Sequence, residues 1–173
     1  MLSAKNIWTY WNDENLPALV QDSIKSWKTY APDYTVNLIN ATTLSKYIDI
    51  SGIPNVGAAA ISDLLRLKLL SEFGGLWLDA TVILHKPIDE IIMNMNKGFA
   101  FKLSNKSYPE SWFLYYPKEK DQSINLWFRE LESILNIWPQ VELHRSYTKV
   151  KIIHQRKMYF MIYQAWYYLY KTN

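Results

Sequence analysis

The sequence predicts an α/β domain with a mainly parallel central sheet flanked by helices. Three observations predict this fold: the chain opens with a strand–helix–strand pattern, a long apolar helix lies near its middle, and an apolar strand follows that helix directly. At 173 residues, the chain is expected to form one domain. We divide it into a core, residues 1–103, and a second part, residues 104–173.

The composition excludes several classes of protein. Apolar residues make up 49% and charged residues 20%, which excludes a disordered or fibrous chain. A net charge of +3 is too small for a dedicated nucleic-acid binder unless the charge is clustered, and basic residues do cluster late, within 149–157 and at Lys171. We expect no nucleic-acid partner, and an RNA-binding module that uses the aromatic and late basic residues is a weaker alternative. The chain has no cysteine, which excludes disulfides, thiolate metal sites and cysteine catalysis. The aromatic content of 16% favours a surface that stacks on a carbohydrate or a nucleobase.

No targeting or membrane-spanning segment is evident in the sequence. The first residues lack the apolar stretch of a signal peptide. No run approaches the ~20 apolar residues that a spanning helix needs. We therefore expect a cytoplasmic protein.

The first elements form a βαβ unit. Residues 7–11 are β-branched and aromatic and end at the turn signal Asn12-Asp13, which predicts a strand. The next helix is expected to be capped by Asn15, with Pro17 in its first turn, and to stop at residues 31–33. A second strand follows at 35–39. Short connections of this kind predict a parallel pair of strands.

The middle of the chain holds the clearest element. Residues 44–55 are expected to be mostly loop. A helix is predicted over 58–73, because its apolar face is broad and Gly74-Gly75 supplies a stop. Residues 76–78 and 82–84 are typical of one buried parallel strand, interrupted at residues 79–81.

The last part of the chain is predicted to alternate helices and strands. A short helix is expected to start at Pro87 and end at Met95, strands at 99–103 and 112–116, and an amphipathic helix at 122–135. Residues 158–170 are apolar and aromatic, with basic residues at both ends. We favour a last helix packed on the sheet, and the alternative is an element that rests among lipid headgroups.

Asp79 is a carboxylate within an otherwise apolar strand. An ionised carboxylate cannot be buried there unpaired, because its desolvation costs several kcal/mol, about that order for one ion. In open α/β sheets, the ligand crevice lies beyond the carboxyl ends of the strands. A metal ion or a ligand hydroxyl is therefore the expected partner of Asp79.

Asp63 and Arg66 lie three residues apart and therefore on one face of the predicted helix. In one interpretation they simply pair with each other, at ~0.3 kcal/mol for a partly exposed pair. In the other, the two-glycine turn aims both at the same crevice as Asp79.

Trp8, Tyr10 and Trp11 end the first strand, where a nucleobase can stack on an aromatic ring. The alternative for these rings is core packing. We expect one of Trp8 and Tyr10 to face inward with the other opposite, and Trp11, beside the turn, to be the most exposed.

Other signals of a functional site are weak. Glycine-rich phosphate loops of the Rossmann and P-loop types are absent from the sequence. The histidines, His85, His144 and His154, have no ligand spacing to one another and are expected to be structural.

Two segments carry a resemblance to a known family. Residues 62–66 (SDLLR) and 74–82 (GGLWLDATV) resemble the signature of bacterial capsular polysaccharide synthesis glycosyltransferases. These belong to the DXD-containing, glycosyltransferase family 32-like sugar transferases, which are similar to the glucosyltransferase domains of large clostridial toxins. Residues 7–11, 26–34 and 86–89 resemble further landmarks of the family, in the family order.

This resemblance implies a GT-A-type, Rossmann-like nucleotide-sugar-binding domain, with residues 1–103 as the donor-binding core and 104–173 as the acceptor side. It implies transfer of a hexose from a nucleotide sugar, expected to be a UDP-sugar, to a saccharide or lipid-linked acceptor, with retention. Capsular polysaccharide or lipopolysaccharide assembly is the implied pathway, with peripheral membrane contact through the C-terminal region. The alternative is a catalytically impaired or truncated homologue that binds a nucleotide sugar or a partner transferase without turnover.

The resemblance also assigns roles to residues. Trp11 would stack on the base, with Trp8 and Tyr10 beside it, and Asp63 and Arg66 would hold ribose or sugar hydroxyls. Asp79 matches the first aspartate of the DXD motif and would bind ribose and a Mn²⁺ or Mg²⁺ ion.

The chain departs from the family pattern at three positions. Thr81 occupies the position of the second DXD acid and would serve there as a second metal ligand and a substrate contact. Because a neutral hydroxyl is a poorer cation ligand than a carboxylate, weaker metal affinity is expected. Met158 and Gln164 stand where an aspartate and a histidine are expected.

Overall fold

The computed structural model describes residues 5–53, 57–93, 95–106, 108–136 and 161–172. The strands are β1 (Asn6–Tyr10), β2 (Thr35–Ile39), β3 (Gly75–Leu78), β4 (Phe99–Ala100) and β5 (Phe113–Tyr116). The helices are α1 (Ala18–Tyr30), α2 (Ala58–Phe73), α3 (Ile88–Ile92), α4 (Gln122–Asn136) and α5 (Met161–Thr172), with a 3₁₀ turn at Leu44–Lys46. The positions of His144, His154 and Met158 lie outside the described residues.

The five strands form one sheet in the order β2-β1-β3-β5-β4. β1 pairs in parallel with β2 and β3, which confirms the βαβ unit. β5 pairs antiparallel with both β3 and β4. The sheet is therefore mixed, and the mainly parallel sheet predicted from the sequence is not confirmed. β4 and β5 are joined by a loop instead of the crossover that a parallel pair requires.

Residues 82–84 do not continue β3, so the prediction of one interrupted strand is wrong. Val82 N donates to Asp79 O at 2.9 Å, which closes a turn. The carbonyl of Val82 accepts from Trp27 Nε1 at 2.7 Å, and Leu84 N donates to Ser26 Oγ at 3.0 Å. Side chains of α1 thus satisfy backbone groups that a neighbouring strand would otherwise pair.

The start of α1 also differs from the prediction. Pro17 is the N-cap residue, and no side chain caps the helix. Asn15 instead donates its backbone N–H to Asp13 Oδ1 at 2.9 Å. The loop between β1 and α1 is therefore stabilised by its own turn, and Asn15 is not a helix cap.

Two apolar cores lie on the two faces of the sheet. One contains side chains of α2, α4 and α5, and the other contains side chains of α1 and α3. Trp8 and Tyr10 both belong to the first core, each with 6% exposure. The expectation that they point to opposite sides is wrong, because residues two apart in a strand share a face.

Helix α5 packs chiefly on α4 and to a lesser extent on α2, and its buried side chains belong to the core that these helices form with the sheet. Met161, Ile162 and Ala165 are buried in this contact. Trp127 Nε1 of α4 donates to Ile162 O at 2.8 Å. In the described part of the chain, no helix is long and apolar enough to cross a membrane. Contact of the C-terminal region with a membrane surface stays a prediction.

Candidate functional site

A cavity of about 360 Å³ opens at the carboxyl ends of β1 and β3, beside the first turn of α2. This volume lies within the range of about 300–1,000 Å³ that is usual for small-molecule sites. Its lining residues are Tyr10, Trp11, Asn12, Ala58, Ala59, Ser62, Asp79, Ala80 and Thr81.

Strand register brings the two ends of the predicted site together. Ile7 pairs with Leu76, and Trp8 pairs with Trp77. Trp11 directly follows β1, and Asp79 directly follows β3. Since β1 and β3 are parallel, both residues emerge at the same edge of the sheet. Trp11 N also donates to Ile39 O at 3.0 Å, which fixes the backbone at the mouth of the cavity.

The carboxylate of Asp79 is held on one side and open on the other. Its Oδ1 accepts a hydrogen bond from Trp77 Nε1 at 2.8 Å and lies 3.3 Å from Arg66 Nη1. The side chain is 37% exposed. Oδ2 makes no hydrogen bond to any residue that the structure describes. One oxygen therefore orients the carboxylate, and the other remains for a ligand.

Arg66 is buried and surrounded by oxygen atoms. Nη1 donates to Ser111 O at 2.7 Å, Nη2 donates to Ser62 Oγ at 3.1 Å, and Nε donates to Ser62 O at 3.3 Å. Nη2 also lies 2.9 Å from Asp63 Oδ1. The guanidinium stacks over the Trp77 ring, 5.1 Å from its centroid. Every nitrogen of the guanidinium already faces a protein oxygen, so Arg66 is well placed to hold Asp63 and Asp79 in position.

Asp63 is the second carboxylate of this cluster. Its side chain is only 11% exposed. Burial raises the pKa of Asp63 to about 6, Arg66 opposes this rise, and Asp79 adds to it. At neutral pH, Asp63 is therefore a buried carboxylate that depends on Arg66 for compensation.

The structure brings most of the predicted residues together. Asp63 and Arg66 pair with each other, as the first interpretation expects, and Arg66 also pairs with Asp79. Trp11 and Thr81 line the cavity with Asp79. Neither Asp63 nor Arg66 is among the lining residues.

Trp8 and Tyr10 have different positions from Trp11. The Trp8 indole lies in the core, where Nε1 donates to Gly74 O at 3.0 Å and the ring packs 5.5 Å from the Phe73 ring. Trp8 is not among the residues that line the cavity. Tyr10 is buried and lines the cavity, and its hydroxyl donates to Asn12 Oδ1 at 2.7 Å. Trp11 is partly exposed and is the most exposed aromatic residue of the three, as the turn beside it predicts.

Three residues that position the charged cluster were not predicted. Ser62 lies four residues before Arg66, and Trp77 lies two residues before Asp79, so helical and strand spacing could have indicated both. Ser111 contributes its main-chain carbonyl from 45 residues further along the chain. Residue type gives no signal for a carbonyl contact of this kind.

The described residues contain no group of three or more acidic or histidine side chains that could hold a metal ion. Asp79 offers a carboxylate and Thr81 a hydroxyl at the same cavity. Mg²⁺ is usually held by one or two carboxylates, with phosphate oxygens and waters completing its shell. The donor set therefore fits a cation that binds together with a diphosphate.

The fold belongs to a known class. The fold is similar to that of the PaToxG glycosyltransferase, with a TM-score of 0.56 and 17% sequence identity. The match covers 97% of this chain and 69% of the PaToxG chain. At this identity the likeness establishes the fold alone. The chain therefore shares an α/β fold with this glycosyltransferase, which confirms the α/β part of the predicted fold class; the GT-A-type, nucleotide-sugar-binding description stays a prediction.

The family follows from the sequence match. Residues 1–163 match the capsular polysaccharide synthesis protein family, and the chain belongs to this family. It is 35% identical over 111 residues to the O-glycosyltransferase braB of Annulohypoxylon truncatum, covering 53% of this chain and 26% of that protein. It is 27% identical over 128 residues to the initiation-specific alpha-1,6-mannosyltransferase of Saccharomyces cerevisiae, covering 60% and 27%.

The relatives also limit what the match shows. The chain spans only about a quarter of the length of these two relatives. Both are fungal, so a bacterial origin and the family 32 and DXD assignments stay predictions. The resemblance to a capsule synthesis family is confirmed.

Proposed function

We propose that this protein is a glycosyltransferase that moves a hexose from a nucleotide sugar, with a UDP-sugar as donor, to an acceptor hydroxyl. The observation that carries the proposal is the meeting of Trp11 and Asp79 in one cavity at the carboxyl ends of β1 and β3. Both curated relatives are named as glycosyltransferases, which supports the reaction class. Retention of configuration, a saccharide or lipid-linked acceptor, and a pathway of capsular polysaccharide or lipopolysaccharide assembly complete the proposal.

Each lining residue has a role that its chemistry suits. The half-exposed indole of Trp11 presents a flat apolar face on which a nucleobase stacks, for about 1–3 kcal/mol. Asp79 lies across the same cavity, with Oδ1 fixed by Trp77 and Arg66. Its second oxygen accepts from a ribose hydroxyl or binds a cation. Asp63 and Arg66 act from behind the cavity wall by holding Asp79 in this orientation.

Charge balance argues for a divalent cation. Among the described residues that line the cavity, Asp79 alone carries a charge. Asp63, Arg66 and Asp79 together carry a formal charge of −1 when both carboxylates are ionised. A nucleoside diphosphate adds further negative charge, so the described site repels it unless a cation is present. Asp79 and Thr81 are the residues that would hold Mn²⁺ or Mg²⁺, which when bound stabilises the diphosphate leaving group.

The alternative function is a homologue that binds a nucleotide sugar without turnover. Thr81 favours it, because a neutral hydroxyl is a poor cation ligand beside a single carboxylate. A binding protein of this kind would bind UDP and leave a UDP-sugar intact. Release of UDP from a panel of UDP-sugars, with and without an acceptor, therefore separates the two functions.

Titration of UDP by calorimetry, with and without Mn²⁺, is the first test of the donor site. We expect binding that requires Mn²⁺ and that weakens at least about tenfold in Asp79→Asn, since the amide removes the charge on the cation ligand. Asparagine keeps an oxygen that accepts from Trp77 Nε1, so the variant should fold. Asp22→Asn, on an exposed position of α1, is the matched control and should bind like the wild type. Unchanged affinity in Asp79→Asn would contradict the assignment.

A further inference from the structure

The segment 108–112 connects the candidate site to the C-terminal helix. Two successive carbonyls of this segment hold two of the three charged residues of the site. Ser111 O accepts from Arg66 Nη1 at 2.7 Å, and Trp112 O accepts from the backbone N–H of Asp79 at 2.9 Å. Ser111 is buried, with 5% exposure. The positions of Arg66 and Asp79 therefore depend on the placement of this short piece of main chain.

The antiparallel direction of β5 brings the segment to the site. Leu78, the last residue of β3, pairs with Phe113, the first residue of β5. The residues that enter β5 therefore lie at the edge where β3 ends, beside Asp79. A parallel β5 would begin at the opposite edge of the sheet, and these carbonyls would lie away from the cavity.

Tyr163 of α5 contacts this segment through both its hydroxyl and its ring. Its hydroxyl lies 3.1 Å from Ser111 Oγ. Its ring packs against the ring of Tyr108, with centroids 4.5 Å apart. Lys106 Nζ donates to the hydroxyl of Tyr108 at 2.7 Å and so fixes the second ring. Burial raises the pKa of Tyr163, so its hydroxyl keeps its proton at neutral pH.

We propose that Tyr163 is a positioning residue for the donor site, which acts through Ser111 on Arg66 and thereby on Asp79. Tyr163 is not among the described residues that line the cavity, so the path from it to Asp79 runs through Ser111 and Arg66. The proposal rests on the proposed function, because it concerns the same site. It also makes α5 a part of that site's framework.

The test is a double-mutant cycle with three variants: Tyr163→Phe, Ser111→Ala and the two combined. Tyr163→Phe removes the hydroxyl and keeps the ring contact, and Ser111→Ala removes the hydroxyl and keeps the carbonyl. Affinity for UDP with Mn²⁺ at 25 °C should fall about fivefold in either single variant, the equivalent of one ordinary hydrogen bond. The backbone N–H of Ser111 also reaches the Tyr163 hydroxyl and is kept in Ser111→Ala, so the loss in the double variant should be smaller than the sum of the two single losses. Tyr170→Phe, on an exposed position of the same helix, is the control and should bind like the wild type.

A second readout needs no ligand. The ¹⁵N–¹H resonance of Arg66 Nε, assigned by its loss in Arg66→Lys, should shift in Tyr163→Phe and stay in place in Tyr170→Phe. If the wild type binds no UDP but the resonance shifts, the proposed function is refuted and the link from Tyr163 to Arg66 is supported. Independent losses that add in the double variant, or an unshifted Arg66 resonance, would overturn the positioning role.

Discussion

Asp63 makes the stability of this protein depend on pH in an unusual direction. The pKa of Asp63 rises from an ordinary value of 3.8 to about 6 in the folded protein, chiefly because the carboxyl is buried. At 1.36 kcal/mol for each pKa unit, this difference corresponds to about 3 kcal/mol. That is a large share of the ~5–15 kcal/mol by which a domain is usually stable.

The sign of this pH dependence follows from which state, folded or unfolded, binds the proton of Asp63 more tightly. Between pH 3.8 and about 6, Asp63 is largely protonated in the folded protein and largely ionised in the unfolded chain. The unfolded state therefore binds fewer protons, and stability falls as pH rises through this window. The contribution of Asp63 is fully favourable below the lower value and is lost above the upper one. Most paired carboxylates give the opposite slope.

Urea unfolding of the wild type and of Asp63→Asn, at several pH values from 4 to 7.5, measures this contribution. The difference in unfolding free energy between the two proteins isolates Asp63 from the other carboxylates. Between pH 4 and pH 7.5 we expect this difference to change by about 2.5 kcal/mol, most of the full value, because asparagine does not titrate. The attraction between Asp63 and Arg66 is already part of the folded-state pKa, so any other cost of the asparagine shifts this difference by the same amount at every pH. Asp22→Asn should keep the wild-type slope, and a wild-type slope in Asp63→Asn would refute the buried, raised pKa.

Two further predictions concern the cavity. Trp11→Ala should weaken UDP binding by about 5- to 100-fold through loss of base stacking. Binding of Mn²⁺-pyrophosphate, measured by calorimetry, should stay unchanged because this ligand has no base. Equal losses for both ligands would rule out stacking as the role of Trp11. Thr81→Asp should tighten Mn²⁺ binding at least about tenfold, because position 81 is exposed and a second carboxylate there adds a charged oxygen ligand at little cost of burial. The control variant Thr81→Asn should not tighten Mn²⁺ binding. Equal Mn²⁺ affinity in both variants would place the cation elsewhere.

The sequence predicts elements best where a single signal decides them. The bounds of α2 were predicted correctly, because its apolar face and the glycine after it act locally. Residues 82–84 have the same apolar character as β3, yet their backbone partners are Trp27 and Ser26 of α1. The polar group that pairs with a given backbone N–H or carbonyl is determined by the tertiary structure, and a hydrophobic pattern does not predict it. The direction of β5 was missed for the same reason.

The site could be predicted in part. The cost of burying a charge pointed to Asp79, and helical spacing placed Asp63 and Arg66 on one face. The tryptophans at positions 8 and 11 are alike by residue type, and their roles differ because one lies within β1 and the other follows it. The contact of Ser111 with Arg66 joins a main-chain carbonyl to a side chain far away in sequence. Neither periodicity nor composition records such a contact.

The link between α2 and β3 is a single residue, Gly74, whose φ of 63° turns the chain sharply. An added Cβ there would lie 2.9 Å from the Lys118 carbonyl, so the turn is also closely packed. This one-residue link therefore cannot accommodate an inserted or deleted residue. One residue inserted between Arg66 and Gly74 would rotate Arg66 by about 100° around the helix axis. The number of residues from Arg66 to Asp79 therefore sets the position of one side chain relative to the other. This number should be the same among relatives whose outer loops differ in length.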